Sequence, residues 1–239
     1  MSNLVPVNDY AVMAMDTTDL REVINENLGG HNIEANDLDR VAVPAGGSTT
    51  WVIPTLDGEI ETKTLEGILV YFAYKKAYWA QSFEESGGGT VPDCVSDDCI
   101  TGQAMTPNGP GGLCEACPFN KFGSDGRKGK ACRDMIHLYM LRPDSLLPLI
   151  VVVPPTSIKP IRQFMYRLTA ARKRYTDIVI GLSLEKTKND QGITYSVIKP
   201  QKIADLTPEQ AKQVRAYAEA IRPALQRVRV SDVLTTDNQ

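Results

Sequence analysis

The stretch MIHLYMLRPDSLLPLIVVVPPTSIKPIRQFMYRL, residues 135–168, decides the fold, because two strand-like runs lead directly into an amphipathic helix. MIHLYML and PLIVVV are short, apolar and bounded by a polar connection that contains proline, as strands of one sheet are. From Thr156 to Arg174, the residues Ile158, Ile161, Met165 and Leu168 recur at helical spacing, which predicts a helix with that stripe on the sheet, capped by Ser157 and tolerant of Pro160 in its first turn. Lys159, Arg162, Arg167 and the pair Lys173-Arg174 fall largely off the stripe. The same helix therefore joins a core to a basic surface.

Downstream, Ile178, Ile180, Leu182 and Leu184 alternate before a polar turn at 188–192, and Ile193, Tyr195 and Val197 alternate after it, so a hairpin is expected. Upstream, TTWVIPT and ETKTLEGILVYFAYKKAYWAQ flank Asp57-Gly58, another hairpin signal. In the second run Val70, Phe72 and Tyr74 share one parity and Leu69, Tyr71 and Ala73 the other. A short helix is expected near the start, with Asp19 and Glu22 as a capping box and Gly29-Gly30 as its end. Thr207, Pro208 and Gln210 open a final helix over 205–229, with Val214, Tyr217, Ala218 and Ile221 on its apolar side. The last ten residues read as a short tail. The order of three strands, a helix and two strands is that of an OB-fold, a five-stranded, partly open barrel. The expectation is a single domain over 1–239, mainly β with flanking helices (α+β), with an OB-fold-like core at 38–203 and an insertion at about 86–133.

That insertion holds all five cysteines, in PDCVSDDC (92–99) and CEACPFNKFGSDGRKGKACR (114–133), behind a loose Ser86–Gly89 break. It is too poor in apolar residues to offset its ordering entropy by burial, so a metal is expected to fold it. Cys114-x-x-Cys117 supplies two thiolates from one turn, with Pro118 and nearby glycines shaping the backbone. Cys132 is a third ligand, and the fourth is Cys94 or Cys99, with Cys94 favoured and His137 competing from its strand. Four thiolates satisfy a structural Zn²⁺ and leave no place for a catalytic water; an iron–sulfur cluster would take the same four. A disulfide framework fits neither the odd count nor a cytoplasmic location. That location is expected because the N-terminus MSNLVPVNDY lacks the features of a signal peptide. No run of the roughly 18 to 20 apolar residues needed to span a bilayer occurs, so no membrane partner is expected.

Charge is sharply divided. From Met1 to Glu66 there are 12 acidic residues against Arg21, Arg40 and Lys63, a net of −9, whereas from Phe119 to Thr176 there are 12 Lys/Arg against Asp125, Asp134 and Asp144, a net of +9. A basic block inside an acidic protein of net charge −3 is a candidate polyanion site. In the cysteine segment Lys121, Arg127, Lys128, Lys130 and Arg133 are interleaved with Phe119 and Phe122. Cations for phosphates beside rings for bases are what a single strand needs, although either Phe could instead pack over the metal. The expected groove combines this loop, the cations Lys159, Arg162 and Arg167, and some of Trp51, Tyr71, Tyr74 and Trp79. No recognition helix for duplex DNA is apparent, and RNA shares the stacking chemistry. Two other classes remain open. One is a zinc-ribbon factor that binds a replication protein. The other is a metal-dependent nuclease using Asp93, Asp97 or Asp98, which more simply read as solvated loop residues.

PDC (92–94), CEACPFNKFGS (114–124), GKAC (129–132), LYMLRP (138–143), LPLIVVVPPTSIKPIRQFMYRL (147–168) and EKTKNDQGITYSVI (185–198) together resemble a family of phage-encoded single-stranded DNA-binding proteins. The similarity runs over about Leu38 to Lys202. It implies an OB-fold with a zinc-binding insertion, metal ligands at Cys94, Cys114, Cys117 and Cys132, a spare Cys99, and a non-enzymatic role in phage replication or recombination in the host cytoplasm. One departure is the tail. It carries only Asp232 and Asp237, so the acidic tip by which many such proteins recruit replication or recombination partners is weak or missing.

Overall fold

The computed structural model describes residues 10, 17–31, 33–34, 37–81, 91–143, 145–190 and 192–235 of the chain. The break expected at Ser86–Gly89 lies outside them. The architecture is α+β and mainly β. Helix α1 (Thr17–Asn27) is followed by β1 (Arg40–Ala42), β2 (Trp51–Thr55), β3 (Gly58–Thr62) and the long β4 (Thr64–Tyr78). The cysteine segment contributes β5 (Cys94–Ser96), β6 (Thr101–Ala104) and β7 (Gly112–Leu113). Then come β8 (Cys132–Leu141), β9 (Leu149–Val153), α2 (Pro155–Ala170), β10 (Ile178–Lys188), β11 (Thr194–Asp205), α3 (Pro208–Leu225) and α4 (Val230–Thr235).

Strand β4 is the hub. Its first four residues pair antiparallel with β10, the stretch from Ile68 to Tyr78 pairs with β8, and Lys76–Tyr78 also pair with β5 on the edge away from β8. β8 continues to β9, and β10 to β11, both antiparallel. Five strands thus lie in the order β9-β8-β4-β10-β11, with α2 linking β9 to β10. The sheet is open, not a closed barrel. The second edge of β9 is taken by β1, which pairs in parallel through Val41 and Val151, so β11 does not close against it.

Alternation along β8 divides the core in two. Ile136, Leu138 and Met140 join Ile161, Phe164 and Leu168 of α2, whereas Tyr139 and Leu141 join Val214, Tyr217 and Ile221 of α3. Helix α3 starts as its sequence predicts. The Thr207 side chain accepts the Gln210 N–H, and Gln210 returns the bond to the Thr207 N–H. The N-terminal helix also ends at Gly29-Gly30, both at positive φ, but it starts at Thr17, which puts Asp19 inside it.

Several local expectations are corrected. The strand run after Asp57-Gly58 is two strands, since β3 pairs back on β2 and the chain then leaves at Lys63 for the main sheet. A bulge between Leu69 and Tyr71 breaks the parity of β4, so Val70 and Tyr71 both reach the α3 side. Ser157 does not cap α2. It is buried, and its hydroxyl oxygen accepts the Ile198 N–H at 3.0 Å, tying the helix to β11. In β11 the buried residues are Ser196 and Ile198, opposite Lys186 and Leu184, so Tyr195 and Val197 face away from that core. The C-terminal segment read as a tail forms α4.

Candidate nucleic-acid interface

Cys94 on β5 and Cys132 at the start of β8 are both register partners of Tyr78 on β4, and so share its face. Tyr78 stacks on Phe119 with ring centroids 4.3 Å apart, and the two cysteines pack around that pair. Phe119 is therefore the packing aromatic. Cys114 and Cys117 lie on the turn after β7, and all four cysteines line one cavity of about 10 Å³, nearer the size of an ion than of an organic ligand. Cys99 is outside that lining, at φ 61°, and all five thiols are free. Among the described residues no three His, Cys, Asp or Glu side chains are gathered tightly enough to form a ready-made metal site.

The chemistry of the cavity nevertheless suits a thiophilic cation. Cys94 receives the Gly111 N–H, and a Cβ at Gly102 would stand 3.0 Å from the Cys94 sulfur, so the backbone approaches closely because glycine permits it. Burial pushes the Cys132 thiol up to about 12, against the pull of the nearby Lys76 ammonium, and burial also raises Cys94. Thiols so disfavoured as anions favour the neutral form, and a bound metal ion would have to ionise them. His137 is not available to this cavity. It projects to the opposite face of β8 from Cys132, fully buried, with neither ring nitrogen hydrogen-bonded. Burial first, then the Lys75 charge, lowers it to about 3.

The loop after Cys117 is built by polar side chains, not by a core. The Asp125 carboxylate accepts the N–H groups of Arg127 at 2.8 Å and Gly129 at 3.0 Å. Ser124 donates to the Phe119 carbonyl at 2.8 Å and accepts the Ala131 N–H at 3.0 Å. The amide of Asn120 donates to the Cys114 carbonyl at 2.8 Å while its oxygen accepts from Lys76 and Lys130. One end of the loop is thereby tied to the floor of the cysteine cavity.

Between this loop and α2 runs a groove of about 430 Å³. The loop side offers Phe122, Lys130 and Arg133, and the helix side Ile158, Lys159, Arg162, Gln163 and Tyr166. Phe122 is 81% and Tyr166 65% exposed, so both rings are open to a ligand. Lys130 sits 5.2 Å from the centre of the Phe122 ring and pairs with Asp134 at 2.9 Å. Arg162 donates to the Tyr166 hydroxyl at 3.4 Å and also interacts with the ring-bearing Tyr74, itself 44% exposed on β4.

The structure thus brings together Phe122, Lys130, Arg133, Lys159 and Arg162 of the predicted set, with Tyr74 close by. Lys121, Arg127 and Lys128 are exposed on the loop and Arg167 on α2, but none of them lines the groove. Trp79 does not line the groove; it is partly buried, with Arg133 5.3 Å above its ring. Two predicted residues are removed from the interface. Trp51 is fully buried and its indole N–H donates to the Leu182 carbonyl at 2.7 Å, and Tyr71 packs on Tyr139 in the α3 core. Tyr166 was missed, though it lies four residues from Arg162 on one helix face, which the helical period alone could have shown. The three acidic loop residues are occupied locally: Asp93 accepts the Ala80 N–H, Asp97 pairs with Lys75, and Asp98 accepts the N–H groups of Ile100 and Thr101.

No family model, no characterised protein and no solved structure matches this chain. Among the described residues, no helix is long and apolar enough to cross a membrane.

Proposed function

We propose that this protein is a non-enzymatic, sequence-tolerant single-stranded DNA-binding protein built on an open, OB-type sheet. The observation that carries the reading is the groove in which the exposed rings of Phe122 and Tyr166 stand among Lys130, Arg133, Lys159 and Arg162. Rings stack on unpaired bases of any identity, and cations neutralise the phosphates between them. The strand order β9-β8-β4-β10-β11, with a helix between the third and fourth strands in chain order, supports an OB-type core that remains open at one seam. A role in phage replication or recombination, in the host cytoplasm, is supported by the motif resemblance alone.

The same reading includes a structural Zn²⁺ held by Cys94, Cys114, Cys117 and Cys132. The shared cavity and the Gly111 N–H on Cys94 support it, since a four-thiolate zinc centre carries negative charge that a backbone donor offsets. With metal bound, the loop bearing Phe122, Lys130 and Arg133 would be fixed against α2.

Fluorescence anisotropy of a short oligo-dT over a salt series, with zinc quantified on the same sample, tests both parts. Lys130 is already paired with Asp134, so the three remaining groove cations, Arg133, Lys159 and Arg162, predict a log–log salt slope of about −2 on a single strand. One zinc per chain is expected, lost in Cys117→Ser and kept in Cys99→Ser. Binding indifferent to salt, or no binding at low salt, overturns the DNA reading; zinc retained by Cys117→Ser overturns the ligand set.

A further inference from the structure

A second cationic pocket, of about 330 Å³, lies at the far end of α2, where the chain leaves the helix and meets α3. It is lined by Lys173, Arg174, Tyr175, Arg215 and Arg222, with Glu219 the only acid among the lining residues. Lys173 is paired with Asp205 and Arg215 with Asp177, so their charge is already answered. Arg174 and Arg222 are exposed and have no ion pair among the described residues.

This pocket is joined to the groove by aromatic side chains. Arg162, in the groove wall, is held above its ordinary pKa first by Tyr166 and then by the field of Tyr74, which is exposed on β4. Tyr74 meets Phe72 edge-on with centroids 6.1 Å apart, and Phe72 meets Tyr175 in the same manner at 5.6 Å. Tyr175 in turn feels the Arg222 charge. Tyr74 and Phe72 on β4 and Tyr175 on the turn before β10 therefore form a row from one cationic site to the other, with Tyr74 exposed and Phe72 and Tyr175 partly buried against the α2 core. It passes the stretch of β4 between its β10 and β5 pairings, where one strand edge carries no partner among the described residues. Rings spaced between two cationic sites are the arrangement that a continuing polynucleotide backbone fits.

We propose that Arg174 and Arg222 form a second phosphate-binding subsite for the same strand, so that single-stranded DNA runs from the Phe122 groove past Tyr74 to the junction of α2 and α3. This inference rests on the single-strand reading of the groove. It makes the footprint longer than the groove alone, so short and long oligomers engage different numbers of cations.

The test compares the wild-type chain with Arg174→Ala/Arg222→Ala, both exposed positions, on oligo-dT of about 4 and about 16 nucleotides, the range of site sizes for one OB-fold. The expected result is unchanged affinity for the short oligomer and a roughly tenfold loss for the long one at low salt, with the magnitude of the long-oligomer salt slope reduced by about 1.4, the value for two contacts on a single strand. An unchanged long-oligomer affinity, or an equal loss on both lengths, overturns the second subsite while leaving the groove intact. Failure of the wild-type chain to bind either length overturns the groove reading itself, and this inference with it.

Discussion

Phe122 and Trp51 are both aromatic residues beside strand or loop sequence, yet their environments assign them opposite work. Trp51 has no exposed surface and its indole N–H is satisfied by a main-chain carbonyl inside the α2 core. Trp51→Ala is expected to lower unfolding free energy by about 3–5 kcal/mol, the cost of a large buried truncation, as read by urea denaturation. Phe122 projects from the loop into solvent, so Phe122→Ala is expected to leave the denaturation midpoint nearly unchanged and to weaken oligo-dT binding by about 1–3 kcal/mol. A Phe122→Ala chain that binds normally would remove the ring from the interface. The sequence alone separates such residues poorly. Trp51, Tyr71, Tyr74, Trp79 and Phe122 were equal candidates because burial depends on partners far along the chain, such as Leu182 for Trp51 and Tyr139 for Tyr71. The basic residues in and just after α2 were more legible, since the cations from Lys159 to Arg174 have no acid among them and must find water or a polyanion.

At the scale of elements, legibility follows how local the determinants are. Helix α3 could be read from its capping box and proline, three adjacent signals confirmed in the hydrogen bonds. Helix α4, six residues long, could not. Its first N–H, from Val230, is accepted by Asp97 at 2.8 Å, Arg40 donates to the Val233 carbonyl, and Lys75 donates to the Val228 carbonyl at 3.2 Å just before it. Those anchors come from three remote parts of the chain. Beneath them lies His137, faced by Lys75 and Arg40 on the cationic side and Asp97 on the anionic. Its folded value, about 3, is well below the ordinary 6.5, so the unfolded chain binds the extra proton more readily. Stability from keeping this imidazole neutral is therefore complete above pH 6.5 and lost as pH falls toward 3, at about 1.4 kcal/mol per pH unit. Urea unfolding at pH 7 and pH 5 should show a loss in the wild-type chain that is about 2 kcal/mol smaller in His137→Leu. Equal losses in the two proteins would mean that His137 is not a source of acid sensitivity.

Over the whole molecule, charge and strand order act together. The acidic first third and basic middle nearly cancel, so in the proposed reading a polyanion would approach a chain of net charge −3 and be held by local fields in the groove. The mainly β succession of strands with flanking helices was legible from the sequence, whereas the open seam was not, because β1 is only three residues long and its partner β9 lies more than a hundred residues away. What the groove then selects follows from the exposed rings. A duplex presents the same phosphates to Lys159 and Arg162, but its bases are stacked on one another and offer no face to Phe122 or Tyr166. Two stacked bases at about 1–3 kcal/mol each predict that oligo-dT binds at least roughly thirtyfold more tightly than a duplex of equal length at the same salt. Competition of labelled oligo-dT by unlabelled duplex reads this ratio directly. If the two compete equally, the cations alone do the binding and the rings have no part in it. Phe122→Ala and Tyr166→Ala should then each leave the single-strand affinity unmoved, and in the proposed case each should lower the preference toward unity.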